Sequence, residues 1–346
     1  MSELDERIYH VKGNLPREIG QKIGHRMGTR LEENISHYIQ RRPTVGEYVD
    51  IAKLKSGALP WMRTLPLRFQ EELEGLAEGA GIPVQRVVEM TYLEELLANN
   101  CSAAICMFGG RVWIARNNDF FIPEAWGYAT IREIAGLIPT ISFSLEGDVF
   151  TPTGINKERL WLHYNYLPAW DKPTPGKTSM PGYAFIQFAL ETCRNLGDLE
   201  GLLAEVDRSD GMLLFAIDGK DESACLYECN CQTHFKIPLN GGWVAGTNHH
   251  LSCHPPADIQ EDASDSILRL KRTDELMEQL YSSDHSIELP WSLVNILGDE
   301  LIERRGEDLV TVYSNVACPS LGELWYTFGG APAASQGNWQ KLLWPW

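Results

Sequence analysis

Apolar residues recur at every fourth position through Ile19, Ile23, Met27, Leu31, Ile35 and Ile39, with polar residues between them. That step keeps the six side chains on one helical face, and Pro16 suits a first turn. The pattern therefore predicts one amphipathic helix from Pro16 to Arg41-Arg42-Pro43. A second helix begins at Pro66, turns Phe69, Leu73, Leu76 and Ala80 inward, and stops in Gly79-Ala80-Gly81. A third runs from Pro83 through Val84, Val87 and Val88 to about Leu97. Residues 1–100 thus read as a helical segment.

At Cys101 the texture changes to short β-rich runs separated by turns: 102–108, 112–116, 138–145, 212–217, 224–231 and 310–315. Two further helices, 182–194 and 264–281, interrupt them. Runs of strands with segregated helices predict an α+β fold, with helices on the faces of mainly antiparallel sheets. Gly109-Gly110 between two such runs is a two-residue hairpin signal, because both glycines tolerate positive φ. In that register Phe108 pairs with Arg111 and Cys101 with Asn118. Arg116 and Asn118 then project on the side of the Cys101 thiol, and Asp119 follows at the strand's end.

Composition narrows the partners. The 346-residue chain is 44% apolar with 11 Trp, enough for a substantial core. Its net charge of −17 opposes binding to nucleic acid or anionic membranes. The charged N-terminus is followed by no apolar signal segment, and no stretch approaches the roughly 20 apolar residues of a membrane span. A cytoplasmic location is expected, with the eight scattered cysteines reduced. Cys225, Cys229, Cys231 and His234 have zinc-ligand chemistry, but alternation along one strand face reads more simply as core; no metal and no cofactor is expected.

A thiol of ordinary pKa about 8.5 is only slightly ionised at neutral pH, and a neighbouring guanidinium raises the thiolate fraction. Arg116 would supply that charge, and Asp119 would orient either the arginine or the base that takes the proton. A buried structural cysteine beside an Arg-Asp pair fits the hairpin equally well.

The ordered set of motifs is more specific. Cys101-Ser102 followed by Arg116-Asn117-Asn118-Asp119, then Gly154-Ile155-Asn156, His163-Tyr164-Asn165-Tyr166, Thr247-Asn248-His249 and Ser266-Ile267-Leu268-Arg269 resembles the N-terminal nucleophile cysteine hydrolases. That group includes bile salt hydrolases, penicillin V acylase and isopenicillin N acyltransferase. The upstream Glu71-Glu72-Leu73-Glu74-Gly75-Leu76-Ala77-Glu78-Gly79-Ala80-Gly81 resembles the pro-segment of the isopenicillin N acyltransferase-like branch.

The resemblance implies a four-layer αββα sandwich over residues 101–346, preceded by a pro-segment, 1–100, that is removed by self-cleavage at Asn100-Cys101. It implies Cys101 as nucleophile and, through its freed α-amine, as base. Arg116 and Asp119 would orient amine and thiol, Asn248 and Asn165 would contact the oxyanion, and Arg269 would complete the electrostatic frame, with Arg272 one helical turn away as its rival. The reaction would cleave a linear amide through a thioester, passing the acyl group to water or to a small amine. The partner would be a small-molecule amide or acyl-thioester, with homo-oligomerisation left open. Asn100 stands where isopenicillin N acyltransferase has Gly. A non-catalytic interaction protein of the same fold is the alternative from another class.

Overall fold

Gly28, with φ of 57°, ends the first helix where the apolar repeat runs on unbroken. The single helix expected from Pro16 is therefore two, α1 (Pro16–Met27) and α2 (Thr29–Gln40), both turning their fourth-position residues into the core. The computed structural model describes residues 6–42, 49–97, 100–239, 242–252, 263–282 and 288–346, and Pro43, the expected end of the first helix, lies outside these. Helices α3 (Ile51–Met62), α4 (Leu67–Ala80) and α5 (Val84–Glu95) follow, the last two where their proline starts and glycine stop predict them. Gly20 and Gly24 on α1 face Gly75 and Gly79 on α4. A Cβ on Gly20 would lie 2.1 Å from the Glu72 carbonyl oxygen, and one on Gly75 would lie 2.1 Å from that of Arg17. The glycines of the Glu71–Gly81 motif thus let two backbones touch.

The sheets are built from β1 (Ile8–Gly13), β2 (Asn100–Phe108), β3 (Arg111–Phe120), β4 (Tyr128–Ile134), β5 (Thr140–Ser144), β6 (Thr153–Asn156), β7 (Leu160–Leu167) and β8 (Ser179–Met180). They continue with β9 (Asp207–Arg208), β10 (Gly211–Asp218), β11 (Ser223–Cys229), β12 (His234–Ile237), β13 (Trp243–Gly246), β14 (Val310–Cys318), β15 (Glu323–Phe328) and β16 (Asn338–Leu342). The larger sheet has the order β1-β4-β5-β6-β7-β10-β11-β12, the smaller β13-β2-β3-β14-β15-β16. Within these two sheets every pairing is antiparallel except β1 with β4.

Helices α6 (Gly182–Thr192) and α7 (Leu196–Glu205) pack on the larger sheet, and α8 (Ser264–Ser282) and α9 (Trp291–Leu297) on the smaller. The layers run helix, sheet, sheet, helix, as the resemblance implies. Residues 1–100 are not wholly helical, since β1 supplies an edge strand to the larger sheet. They also share its core: Phe69 meets Phe150 edge-on at 4.9 Å, and Tyr38 stacks on Phe121 at 4.8 Å.

Alternation along the central hairpin assigns its two faces. Ala103, Ile105, Val112 and Ile114 face the other sheet, whereas Ala104, Cys106, Trp113 and Ala115 pack under α8 and α9. Cys225, Tyr227 and Cys229 lie on one face in the main core.

Candidate active site

The hairpin forms in the expected register. Gly109 and Gly110 take φ of 58° and 72°, Phe108 pairs with Arg111, and Cys101 pairs with Asn118. Cys101, Arg116 and Asn118 therefore share the face between the sheets. Asp119 is not at a frayed end: it lies inside β3, fully buried, opposite Asn100 and on the alternate pleat.

The thiol is closely coordinated. Arg116 Nη2 donates to Cys101 Sγ at 3.2 Å, and the thiol itself donates to Asn118 Oδ1 at 3.6 Å. The same Nη2 donates to Asn118 Oδ1 at 2.9 Å and to the Tyr164 carbonyl of the facing sheet at 3.1 Å. Burial pushes the Cys101 thiol up to about 11; Arg116 and Arg269 oppose that rise, and Asp119 adds to it. The sulfur is thus a thiol held beside a fixed positive charge.

The backbone of the same residue is gripped from the other side. Its N–H donates to Asn248 Oδ1 at 2.8 Å, and its carbonyl accepts from Arg269 Nη1 at 2.6 Å. Arg269 also donates to Ser102 Oγ at 2.8 Å and Asn248 Oδ1 at 3.1 Å. Arg272, one turn along α8, instead pairs with the Asp299 carboxylate at 2.8 Å. The helix thus presents Arg269, not Arg272, to the Asn100-Cys101 bond.

Asn248 is held in turn. Its Nδ2 donates to the Tyr166 carbonyl at 3.0 Å, and its backbone N–H to Ser266 Oγ at 2.7 Å. Asn165 stands behind it, giving both amide hydrogens to the carbonyls of Gly246 and Thr247 at 3.1 Å each. His249 is turned to Ser266 Oγ, and His250 to Glu228 and the Pro168 carbonyl. Asp119 accepts from Thr311 Oγ1 at 2.7 Å through one carboxylate oxygen, while the other has no partner among the described residues. Burial raises the Asp119 carboxyl above its ordinary range, against Arg269 and Thr311.

Thr311 and Tyr313 are site residues that the sequence reading does not identify. Arg116 Nη1 donates to Tyr313 Oη at 2.7 Å. Both residues lie on the predicted 310–315 strand, but nothing in their spacing signals which pleat they occupy.

A family model described as acyl-coenzyme A:6-aminopenicillanic acid acyl-transferase matches residues 106–298, taking in Arg116, Asp119, Asn165, Asn248 and Arg269 and beginning after Cys101. No curated protein matches the sequence. Among solved structures, a mutant conjugated bile acid hydrolase from Clostridium perfringens is 14% identical, with a TM-score of 0.46 over 71% of this chain and 97% of that one. A Caenorhabditis elegans N-acylethanolamine-hydrolyzing acid amidase ortholog is 15% identical, with a TM-score of 0.46 over 64% of this chain and 93% of that one. The penicillin V acylase from Agrobacterium tumefaciens is 12% identical, with a TM-score of 0.45 over 70% of this chain and 86% of that one.

Proposed function

The chain belongs to the acyl-coenzyme A:6-aminopenicillanic acid acyl-transferase family, whose enzymes are amidohydrolases or acyltransferases, and we propose that it cleaves linear amides with Cys101 as N-terminal nucleophile. The observation that carries this is the grip on one residue. The Cys101 thiol lies under Arg116 while its own N–H and carbonyl are fixed by Asn248 and Arg269.

Two reactions follow from that placement. In the first, Cys101 Sγ adds to the Asn100 carbonyl carbon, the Asn100-Cys101 C–N bond breaks, and the acyl group of residues 1–100 passes to sulfur. Water then hydrolyses the thioester and leaves a free α-amine on Cys101. In the second, that amine, with an ordinary pKa near 8, takes the thiol proton. The thiolate attacks the substrate carbonyl and the amine leaving group departs with the proton. Acyl-Cys101 is then released to water or to a small amine.

Arg116 favours the thiolate, and the Asp119 oxygen that has no partner among the described residues is an acceptor for a new ammonium. Asn248 is the side-chain amide for the oxyanion, and Asn165 keeps its loop in place. A small-molecule amide or acyl-thioester is the substrate class in this reading, and the cytoplasm its setting; among the described residues no helix is long and apolar enough to cross a membrane.

The test is acyl release from a panel of simple N-acyl amides, with and without added small amines. Cys101→Ala is expected to abolish it, and retained turnover in that variant overturns the reading.

A further inference from the structure

We propose that Tyr313 is a positioning residue for the nucleophile, holding Arg116 against the Cys101 thiol; this rests on the reading of Cys101 given above. Strand β14 carries a one-residue irregularity at the site: Thr311 pairs with Asp119, but the next pair along is Tyr313 with Asn118. In an unbroken register Val312 would sit opposite Asn118, and Tyr313 would point towards the helices on the outer face. The bulge turns the phenol instead into the space between the sheets, onto the face shared by Cys101, Asn118 and Arg116.

The phenol has a defined job there. A guanidinium only donates, so Tyr313 Oη accepts from Arg116 Nη1 at 2.7 Å. It also shares a hydrogen bond with Thr153 Oγ1, 3.0 Å away on the other sheet. The ring stacks on Trp126, with centroids 5.6 Å apart and planes 19° from parallel, and Tyr313 is 1% exposed. Arg116 is thereby held at both terminal nitrogens, Nη1 by Tyr313 and Nη2 by the thiol, Asn118 and the Tyr164 carbonyl. The Tyr313 ring also lies 5.5 Å from the guanidinium carbon. Burial pushes the phenol up to about 12, so it stays neutral beside the guanidinium.

Tyr313→Phe keeps the ring and its stacking and removes only the oxygen. The readout is the pH dependence of iodoacetamide alkylation of Cys101, followed by peptide mass on the purified chain. With Nη1 released, the guanidinium loses its fixed position over the sulfur. The alkylation midpoint is expected to move up by about one pH unit, so that the rate at neutral pH falls about tenfold. Thr153→Val, which removes the phenol's other hydrogen-bond partner, is expected to shift the midpoint in the same direction by less, and it decides the matter if Tyr313→Phe does not fold. An unchanged or lowered midpoint in the folded variant, with only thermal stability reduced, overturns the proposal. Thiol titration does not depend on turnover, so this result stands apart from the Cys101→Ala assay that decides the function.

Discussion

Arg269 places Nη1 2.6 Å from the carbonyl oxygen of Cys101, clamping the proposed nucleophile by its own backbone. The guanidinium is almost wholly buried and also holds Ser102 and Asn248. Arg269→Ala is expected to slow both self-cleavage and acyl release by about a hundredfold, the usual order for losing one such preorganised donor. Arg272→Ala removes a partly buried pair with Asp299 and is expected to leave both rates within about twofold. Equal damage from the two substitutions, measured as rates on folded protein, contradicts the assignment.

Asn248 joins the Cys101 N–H to the Tyr166 carbonyl through the two ends of one amide. Asn248→Ala removes both of these hydrogen bonds and the proposed oxyanion donor. It is expected to lower kcat by about 100- to 1,000-fold with a much smaller change in KM. A rise in KM at unchanged kcat assigns Asn248 to ordinary substrate binding instead.

The hairpin was legible because it is local: two adjacent glycines fix a turn, the turn fixes a register, and the register fixes which side chains meet Cys101. Arg269 and Arg272 were not separable, since a helical turn apart both suit the sequence and only the docking of α8 on β2 selects one. The break at Gly28 was hidden because the apolar repeat stays in phase across it. Strand β1 was missed because its parallel partner lies more than a hundred residues away. Tyr313 escaped because a bulge, which changes the pleat of everything beyond it, has no period of its own.

Residues 1–100 are expected to remain bound after cleavage. Glu72 on α4 is fully buried and accepts from Arg132 of the larger sheet at 3.0 Å and from Arg68 at 2.6 Å, while Arg68 also grips Glu191. Glu146 accepts from Tyr9, Arg30 and Asn34 at 2.7–2.8 Å. Losing one partner of such a buried pair costs about 3–5 kcal/mol, so departure of the segment is strongly opposed. Native size-exclusion of the cut protein is expected to show the two pieces co-eluting, and their separation without denaturant contradicts this.

The glycine contact between α1 and α4 is equally exacting. Gly75→Ala sets a methyl group 2.1 Å from the Arg17 carbonyl oxygen, where backbone rather than a flexible side chain must yield. The expected loss is about 1–3 kcal/mol or more, read as a lowered Tm. A Tm equal to that of the parent contradicts the close packing.

Burial, more than any neighbour, pushes the Asp148 carboxyl up to about 7, with Glu72 adding to the rise. A raised acid is favoured in its neutral form by the fold. Its contribution is therefore complete below the ordinary carboxylate range near pH 4 and is lost as pH rises through the elevated value. Asp148→Asn keeps an acceptor for the Phe150 N–H, bonded at 3.0 Å, and cannot ionise. The variant is expected to gain Tm relative to the parent at pH 8 and not at pH 4, and a pH-independent difference contradicts that linkage.

The most direct measurement is the intact mass, with N-terminal sequence, of the purified chain beside its Cys101→Ala variant. The account predicts two polypeptides from the parent, residues 1–100 and a piece beginning with a free amine at Cys101, and one uncut chain of 39.0 kDa from the variant. A parent that stays uncut while fully active, or a variant that is cut at the same bond, contradicts it.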